Sequence, residues 1–264
     1  MREVLRAVWA YRYFIISSIK TEFRSRFVRS KLGAVWMILH PLAQVLVYAL
    51  ILSQIMTAKL PGVATQYAYP IYILSGIIGW TLFAEILSKS LNIFISNANL
   101  LKKISFPKLA LPLITIGTAL VNFTIFLVMM FIVFGFLGHL PIHALQWIPI
   151  LTLLTLTLAL GIGLFLGTLN VFIRDIGQFM EIALNFWFWL TPVVYMMSIV
   201  PQKYHVLFML NPMTGIVLGF QNVLLYDKAP DLSILIYPTL FAITSMILAM
   251  IVFYKAREEM ADVL

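Results

Sequence analysis

A chain of 264 residues that is 62% hydrophobic and only 11% charged, with a mean hydropathy of +1.00, carries more apolar surface than a soluble domain can hide, since about 45–50% is usual there. Its net charge of +8 would suit nucleic acid, but the basic residues cluster between apolar runs, where they act as topology signals beside anionic lipid headgroups, so membrane lipids and no nucleic acid are the expected contacts. The absence of cysteine excludes disulfides, iron–sulfur clusters and thiol catalysis.

In chain order, residues 1–31 come first. Val4, Val8, Tyr11, Ile15, Ile19 and Phe23 recur at spacings of three or four, with Arg2, Arg6, Lys20 and Arg24 opposite. An apolar stripe against a basic face predicts an amphipathic helix lying in the membrane interface, although Arg12 and Arg26 fall off the basic face. The stretch lacks the unbroken apolar core and small-residue cleavage site of a signal peptide, so the mature chain is expected to begin near Met1.

A bilayer core needs about 20 apolar residues in a helix. Such runs lie at 33–56, 68–88, 109–136, 147–171, 178–198 and 232–254. Basic residues orient them. Arg2, Arg6, Arg12, Lys20, Arg24, Arg26, Arg29 and Lys31 precede the first run. Lys89, Lys102, Lys103 and Lys108 lie between the second and third, Arg174 between the fourth and fifth, and Lys255 and Arg257 after the last. Only Lys59, Lys203 and Lys228 fall on the other side, which places both termini in the cytoplasm by the positive-inside rule.

The run from Val206 to Leu225 is interrupted by Asn211-Pro212 and followed by Gly215 and Gly219. A seventh crossing would put Lys255 and Arg257 outside. Residues 203–227 are therefore read as two short half-helices dipping in from the outer face, a broken backbone tolerated at membrane depth only under protein cover or beside a water-lined cavity. The alternative is a packed outer loop. Gly163 and Gly167 form a small-xxx-small pair on the fourth run, expected to serve close helix packing.

Several chemistries are missing. No G-x-x-x-x-G-K-[ST] loop occurs, so ATP is not bound here through a P-loop. No H-E-x-x-H or other metal-ligand spacing occurs, and neither a metal, a cofactor nor a catalytic residue is expected on this chain. His40, His139, His143 and His205 are scattered, with His139 and His143 solvated in an outer loop. Glu85 sits near the inner end of the second run, and Asp175 and Glu181 flank the start of the fifth. With no acidic residue centred in a span, a proton-driven transporter and a carboxylate-dependent membrane glycosyltransferase are both disfavoured. Energy for any transport has to enter from a partner.

Four segments then become specific. Phe23 to Leu42 runs from a basic helix through Leu32-Gly33 and Trp36 to Pro41. Asn97 to Leu113 contains Lys102 spaced Lys-x-x-x-Phe-Pro with Phe106-Pro107, and then Leu111-Pro112. Asn170 to Tyr195 contains Arg174-Asp175 and the aromatic run Phe186, Trp187, Phe188, Trp189. The last is Leu210-Asn211-Pro212-Met213-Thr214. In this order, and over nearly the whole chain, they resemble the ATP-binding-cassette type-2 permeases, most of all the O-antigen, capsule and teichoic acid exporters. His40 stands before Pro41 where that family more often has Asn.

The resemblance implies one permease domain over 1–264: an all-α membrane protein of six transmembrane helices, with the N-terminal interfacial helix and an outer re-entrant helical hairpin before the last span. It implies a bacterial inner-membrane homodimer, two separate ATPase subunits carrying ATP and Mg, and a lipid-linked glycan as cargo. Residues 95–108 become the cytoplasmic coupling region, with Leu100, Leu101, Lys102, Lys103, Ile104, Phe106 and Pro107 docking on the ATPase; the alternative is a lipid-facing basic loop. Arg24, Arg26, Arg29 and Lys31 are candidates for the cargo's anionic headgroup, or serve topology alone. Tyr48, Tyr72, Trp80, Phe83, Trp187, Trp189 and Tyr195 are candidate pore aromatics, or else helix packing and an interfacial belt. At most one or two of the four consecutive aromatics can face one way. Asn211 and Pro212 mark an outer gate. Alternatives are a drug, lipid or small-molecule cargo and, more remotely, a membrane enzyme of glycan assembly.

Overall fold

The computed structural model describes residues 11–27, 35–36, 39, 42–43, 46–47, 67–98, 110–256 and 259–263. Among them every regular element is helical: α1 (Arg12–Phe27), α2 (Ala68–Leu91), α3 (Ile93–Ser96), α4 (Ala110–Phe136), α5 (Ile148–Phe172), α6 (Asp175–Trp189), α7 (His205–Met209), α8 (Pro212–Tyr226), α9 (Leu232–Ala256) and α10 (Glu259–Val263).

Four helical stretches among the described residues are long and apolar enough to cross a membrane: α2, α4, α5 with the 3-10 turn before it, and α9. The first expected span, 33–56, lies mostly outside the described residues. The fifth differs from expectation. α6 has 15 residues, about 22 Å at 1.5 Å per residue, against a hydrocarbon core of about 30 Å. It ends at Trp189 rather than near 198, because Pro192 has no N–H to continue the ladder and restricts Thr191 before it. Tyr195 therefore sits in the following turn, not on the helix. In the Val206–Leu225 region, the helical stretches Gln202–Met209 and Pro212–Tyr226 meet at an angle of 100°.

α2 is the axis of the molecule. Ile71, Leu74, Ile78, Phe83, Ile86 and Leu87 are almost wholly buried against α4, α5, α6 and α8. In a bilayer lipid tails are as apolar as leucine, so what holds this axis is close packing and interhelical hydrogen bonding rather than escape from water. Small residues make that packing possible. Gly163 and Gly167 lie where an added Cβ would come within 2.7 Å of Ser90 Cβ and 2.4 Å of the Ser90 carbonyl oxygen, so α5 crosses α2 backbone to backbone. At Gly161 the same is true of α9, with Ser245 Oγ at 2.3 Å from the missing Cβ.

α8 is enclosed, with Met213, Ile216, Val217, Phe220, Val223 and Leu224 fully buried. Gly219 faces Leu151 of α5. Gly215 lies against the Ile234 carbonyl of α9, the very carbonyl that Pro238, inside α9, cannot serve as an i to i−4 donor. At the opposite end of the bundle a second cluster joins Ile15, Ile93, Phe94, Leu111, Val171 and Met260, with the Phe94 and Phe253 rings stacked at 5.5 Å.

The stripe on α1 turns toward the protein. Ile15 is buried and Tyr11, Ile19 and Phe23 are half-buried, while Tyr13, Phe14 and Ile16 are exposed. Lys89, assigned by sequence to the loop after the second run, lies within α2, in its last turn. A basic side chain there is favoured by the helix dipole. Outside the membrane-spanning segments, His143 is 90% exposed, as expected, with Nδ1 2.6 Å from the Asp227 carboxylate; His139 is half-buried, its Nε2 2.9 Å from the Leu224 carbonyl.

Candidate functional site

α6 is capped at Leu190 and α8 begins at Pro212, and Asn211 binds these two points together. As N-cap of α8 its Oδ1 accepts from the Met213 N–H at 3.0 Å, and Pro212 follows at N1, where its fixed φ suits a helix start. The same oxygen accepts from Trp187 Nε1 at 2.8 Å. Its Nδ2 donates to Thr191 Oγ1 at 2.8 Å and to the Leu190 carbonyl at 3.2 Å. One side chain thus satisfies the end of α6 and the start of α8. Tyr237 of α9 donates to the Leu210 carbonyl at 2.8 Å.

The turn after α6 is fastened to α2 and α8. Tyr69 donates to the Val194 carbonyl at 2.7 Å, and Tyr72 to the Tyr195 carbonyl at 3.0 Å. Gln221 of α8 donates through Nε2 to the Pro192 carbonyl at 3.1 Å, and Tyr195 donates to the Trp189 carbonyl at 2.6 Å. These carbonyls have no helical donor, and side chains from α2 and α8 supply what the backbone lacks.

The aromatic run of α6 divides in two. Trp187 meets Phe83 edge-on at 5.1 Å and Phe188 meets Trp80 at 5.5 Å, so both rings fill the seam with α2. Phe186 and Trp189 are exposed. With Phe179, Ile182, Ala183, Trp187 and Leu190 along α6, and Leu207 and Phe208 of α7, Phe186 lines an apolar groove of about 530 Å³ that ends at Asn211.

The Asn211 hinge carries no formal charge. At the far end of α8, Asp227 takes the left-handed conformation at φ 50°, and its N–H and that of Lys228 close the helix on the Asn222 carbonyl. Slight desolvation pushes its carboxyl up, but hydrogen bonds from His143 Nδ1 and from the Ala144 and His143 backbone together hold it below the ordinary range. Among the described residues no group of His, Asp and Glu is placed to hold a metal.

Residues 13–225 match the family model of the ABC-2 type transporters. The chain belongs to that family. Three relatives show how far the likeness extends. The O-antigen export system permease protein RfbA of Myxococcus xanthus is 27% identical over 264 residues, covering 99% of each chain. A protein of the same name from Klebsiella pneumoniae is 28% identical over 252 residues, 92% of each. The polysialic acid transport protein KpsM of Escherichia coli is 21% identical over 243 residues, 90% of this chain and 91% of that one. Membership, together with the long apolar helices, makes the chain a multi-pass membrane permease of a transporter.

Of the expected residues of this ABC-2 permease, Tyr72, Trp80, Phe83, Trp187, Tyr195, Asn211 and Pro212 come together around the turn after α6 and its seam with α2. Trp189 stands apart on the open flank of α6. Arg24 is exposed on α1, whose last turn also contains Arg26. Arg29, Lys31, Tyr48, and the coupling residues Leu100, Leu101, Lys102, Lys103, Ile104, Phe106 and Pro107 lie outside the described residues. Sequence reasoning missed three contributors. Tyr69 and Gln221 carry no signal beyond being polar-tipped residues in apolar runs. Asn170, 1% exposed, donates to the Leu91 carbonyl at 3.1 Å and accepts from the Gly177 N–H at 2.8 Å, so it stitches α2, α5 and α6 together near Arg174-Asp175. A buried amide between an apolar run and a charged turn is the signal that could have found it.

Proposed function

We propose that this permease is the membrane-spanning subunit of an ATP-driven exporter that moves a lipid-linked, O-antigen-like polysaccharide from the cytoplasm to the outer face of the bacterial inner membrane. The observation that carries the cargo is the end-to-end likeness to the O-antigen export permease of Myxococcus xanthus, which leaves almost no part of either chain unmatched. Two copies form the pathway between them. The open apolar flank of α6, from Phe179 to Leu190, supports that arrangement, since a two-fold axis pairs a surface with itself. Separate ATPase subunits supply the energy, because the chain has no phosphate-binding loop. They dock on residues 95–108, and both termini face them from the cytoplasm.

The diphosphate headgroup of such a cargo is anionic. Arg24, Arg26, Arg29 and Lys31 approach it from the cytoplasmic side through charge-assisted hydrogen bonds. The deciding experiment co-expresses the permease with candidate ATPases. Leu101→Asp together with Phe106→Asp abolishes ATPase co-purification, and wild-type recovery of the ATPase sinks the docking assignment. Neutralising Arg26 and Arg29 lowers glycan export with membrane insertion intact; unchanged export removes the headgroup role.

A further inference from the structure

The inner end of α2 carries a polar cluster that export, as described so far, does not use. Lys89 Nζ lies 3.0 Å from Glu22 Oε1 on α1, 2.9 Å from Glu85 Oε1 on its own helix and 2.8 Å from Thr118 Oγ1 on α4. The ammonium donates to Glu22 and to Thr118, and the Glu85 carboxylate is an ion-pair contact beside them. Asn122 of α4 adds a donor to Glu85 Oε1 at 2.6 Å. The acidic and basic side chains here are between 24% and 35% exposed, although they sit among apolar helices.

A lysine that only marked topology would hold its head in water beside the lipid phosphates. Lys89 instead directs its head at partners on α1, α2 and α4. Charged groups placed within membrane helices face one another and mark functional elements. Alongside the cluster, α1 and α4 touch directly: an added Cβ on Gly117 would lie 2.2 Å from Ile19 Cδ1.

What α2 carries at its other end gives the cluster a role. From Lys89 to Tyr69 the helix runs unbroken, about 30 Å at 1.5 Å per residue. On the way Phe83 and Trp80 meet Trp187 and Phe188 edge-on, and at the end Tyr69 and Tyr72 hold the turn that leads to Asn211. A rigid rod with a polar clasp at one end and a hinge at the other transmits displacement between them.

We propose that Lys89 is a positioning residue for transport: it holds α1 in register on α2 and α4, so that movement of α1 on the cytoplasmic side is delivered through α2 to the Asn211 hinge. The consequence for export rests on the exporter reading above; the register of α1 does not.

The absence of native cysteine allows the register to be read without background. Ile19 Cγ1, whose place a cysteine sulfur would take, lies 3.1 Å from the Cβ position of Gly117. Ile19→Cys with Gly117→Cys is cross-linked by a mild oxidant in native membranes, in the full complex with its ATPase. Adding Lys89→Gln slows the cross-link roughly three- to fifteen-fold, the range for one interhelical polar contact in a membrane. In the cysteine-free chain, Lys89→Gln lowers export per ATP hydrolysed while the ATPase still co-purifies. Lys89→Arg retains cross-linking and export.

A wild-type cross-linking rate in Lys89→Gln overturns the proposal. So does absence of the cross-link in the parent pair. If the wild-type chain neither binds an ATPase nor exports glycan, the exporter reading falls, and the cross-linking rates still decide the clasp.

Discussion

Replacing Asn211 by alanine removes the cap of α8 and leaves two donors on neighbouring elements without their acceptor, the Met213 N–H at 3.0 Å and Trp187 Nε1 at 2.8 Å. Loss of an N-cap side chain costs about 1 kcal/mol, and an interhelical polar contact in a membrane averages about 0.6 kcal/mol. With the Thr191 contact also gone, Asn211→Ala loses about 2 kcal/mol. At about 2–4 °C per kcal/mol for a chain of this size, the melting point in detergent falls by about 4–8 °C. Asn211→Asp keeps the acceptor and gives up only the amide donors, so its fall is smaller. The decisive measurement is a double-mutant cycle of Asn211→Ala with Trp187→Phe, read by thermal unfolding on size-exclusion chromatography. Their shared hydrogen bond predicts a coupling of about 0.6–1 kcal/mol. Strict additivity would refute the bond as the link between α6 and α8.

Gly167→Ala places a methyl 2.4 Å from the Ser90 carbonyl oxygen, a backbone atom that cannot move aside, and overpacking of this kind costs about 1–3 kcal/mol. Gly135→Ala, whose Cβ meets only Leu140 Cδ2 at 4.0 Å, leaves the melting point unchanged or higher, so the pair separates a clash from a general intolerance of side chains. The depressed carboxyl of Asp227 adds stability that is fully present above its unfolded pKa near 3.8 and is lost as pH falls through the lower folded value. Asp227→Asn, which tolerates the left-handed backbone, therefore flattens the acid limb of a melting-point profile taken from about pH 6 to about pH 3.

The apolar runs around 68–88, 109–136, 147–171 and 232–254 were legible because a bilayer demands length and hydrophobicity and little else. The break at Asn211-Pro212 was legible too, since a capping residue followed by proline at N1 starts a helix wherever it falls. The early end of α6 was harder. Leu190, Val193 and Val194 continue the hydropathy of the run, and only Pro192 argues against it; the turn exists because Tyr69, Tyr72 and Gln221, from distant parts of the chain, bond its carbonyls. The same nonlocality hid the clasp. Glu85 and Lys89 at i and i+4 announce a helical pair, but nothing near either residue announces Glu22, which is 67 positions from Lys89. Counting Lys89 as a loop charge put it in the wrong place, because the positive-inside rule reads only which end of a helix a lysine is near.

The division of the α6 aromatics has a consequence for which rings meet the cargo. Consecutive aromatics on a helix point about 100° apart, so the four cannot share one task. Trp187 is held edge-on to Phe83 and hydrogen-bonded to Asn211, so truncation leaves a void that packed neighbours do not refill, with losses toward about 3 kcal/mol. Trp189 touches Phe188 at 5.5 Å and is otherwise 64% exposed, so Trp189→Ala changes stability by about 0.5 kcal/mol or less. If the pathway runs along the open flank of α6, the second substitution is the one that damages export, and Trp189→Phe, which keeps an aromatic face for a sugar ring, restores most of it. Trp187 also borders the groove, so Trp187→Ala lowers export at least in proportion to the folded protein lost from the membrane. Normal export in Trp189→Ala, at wild-type protein levels, would refute the flank as the glycan path and leave the aromatics of α6 with packing alone.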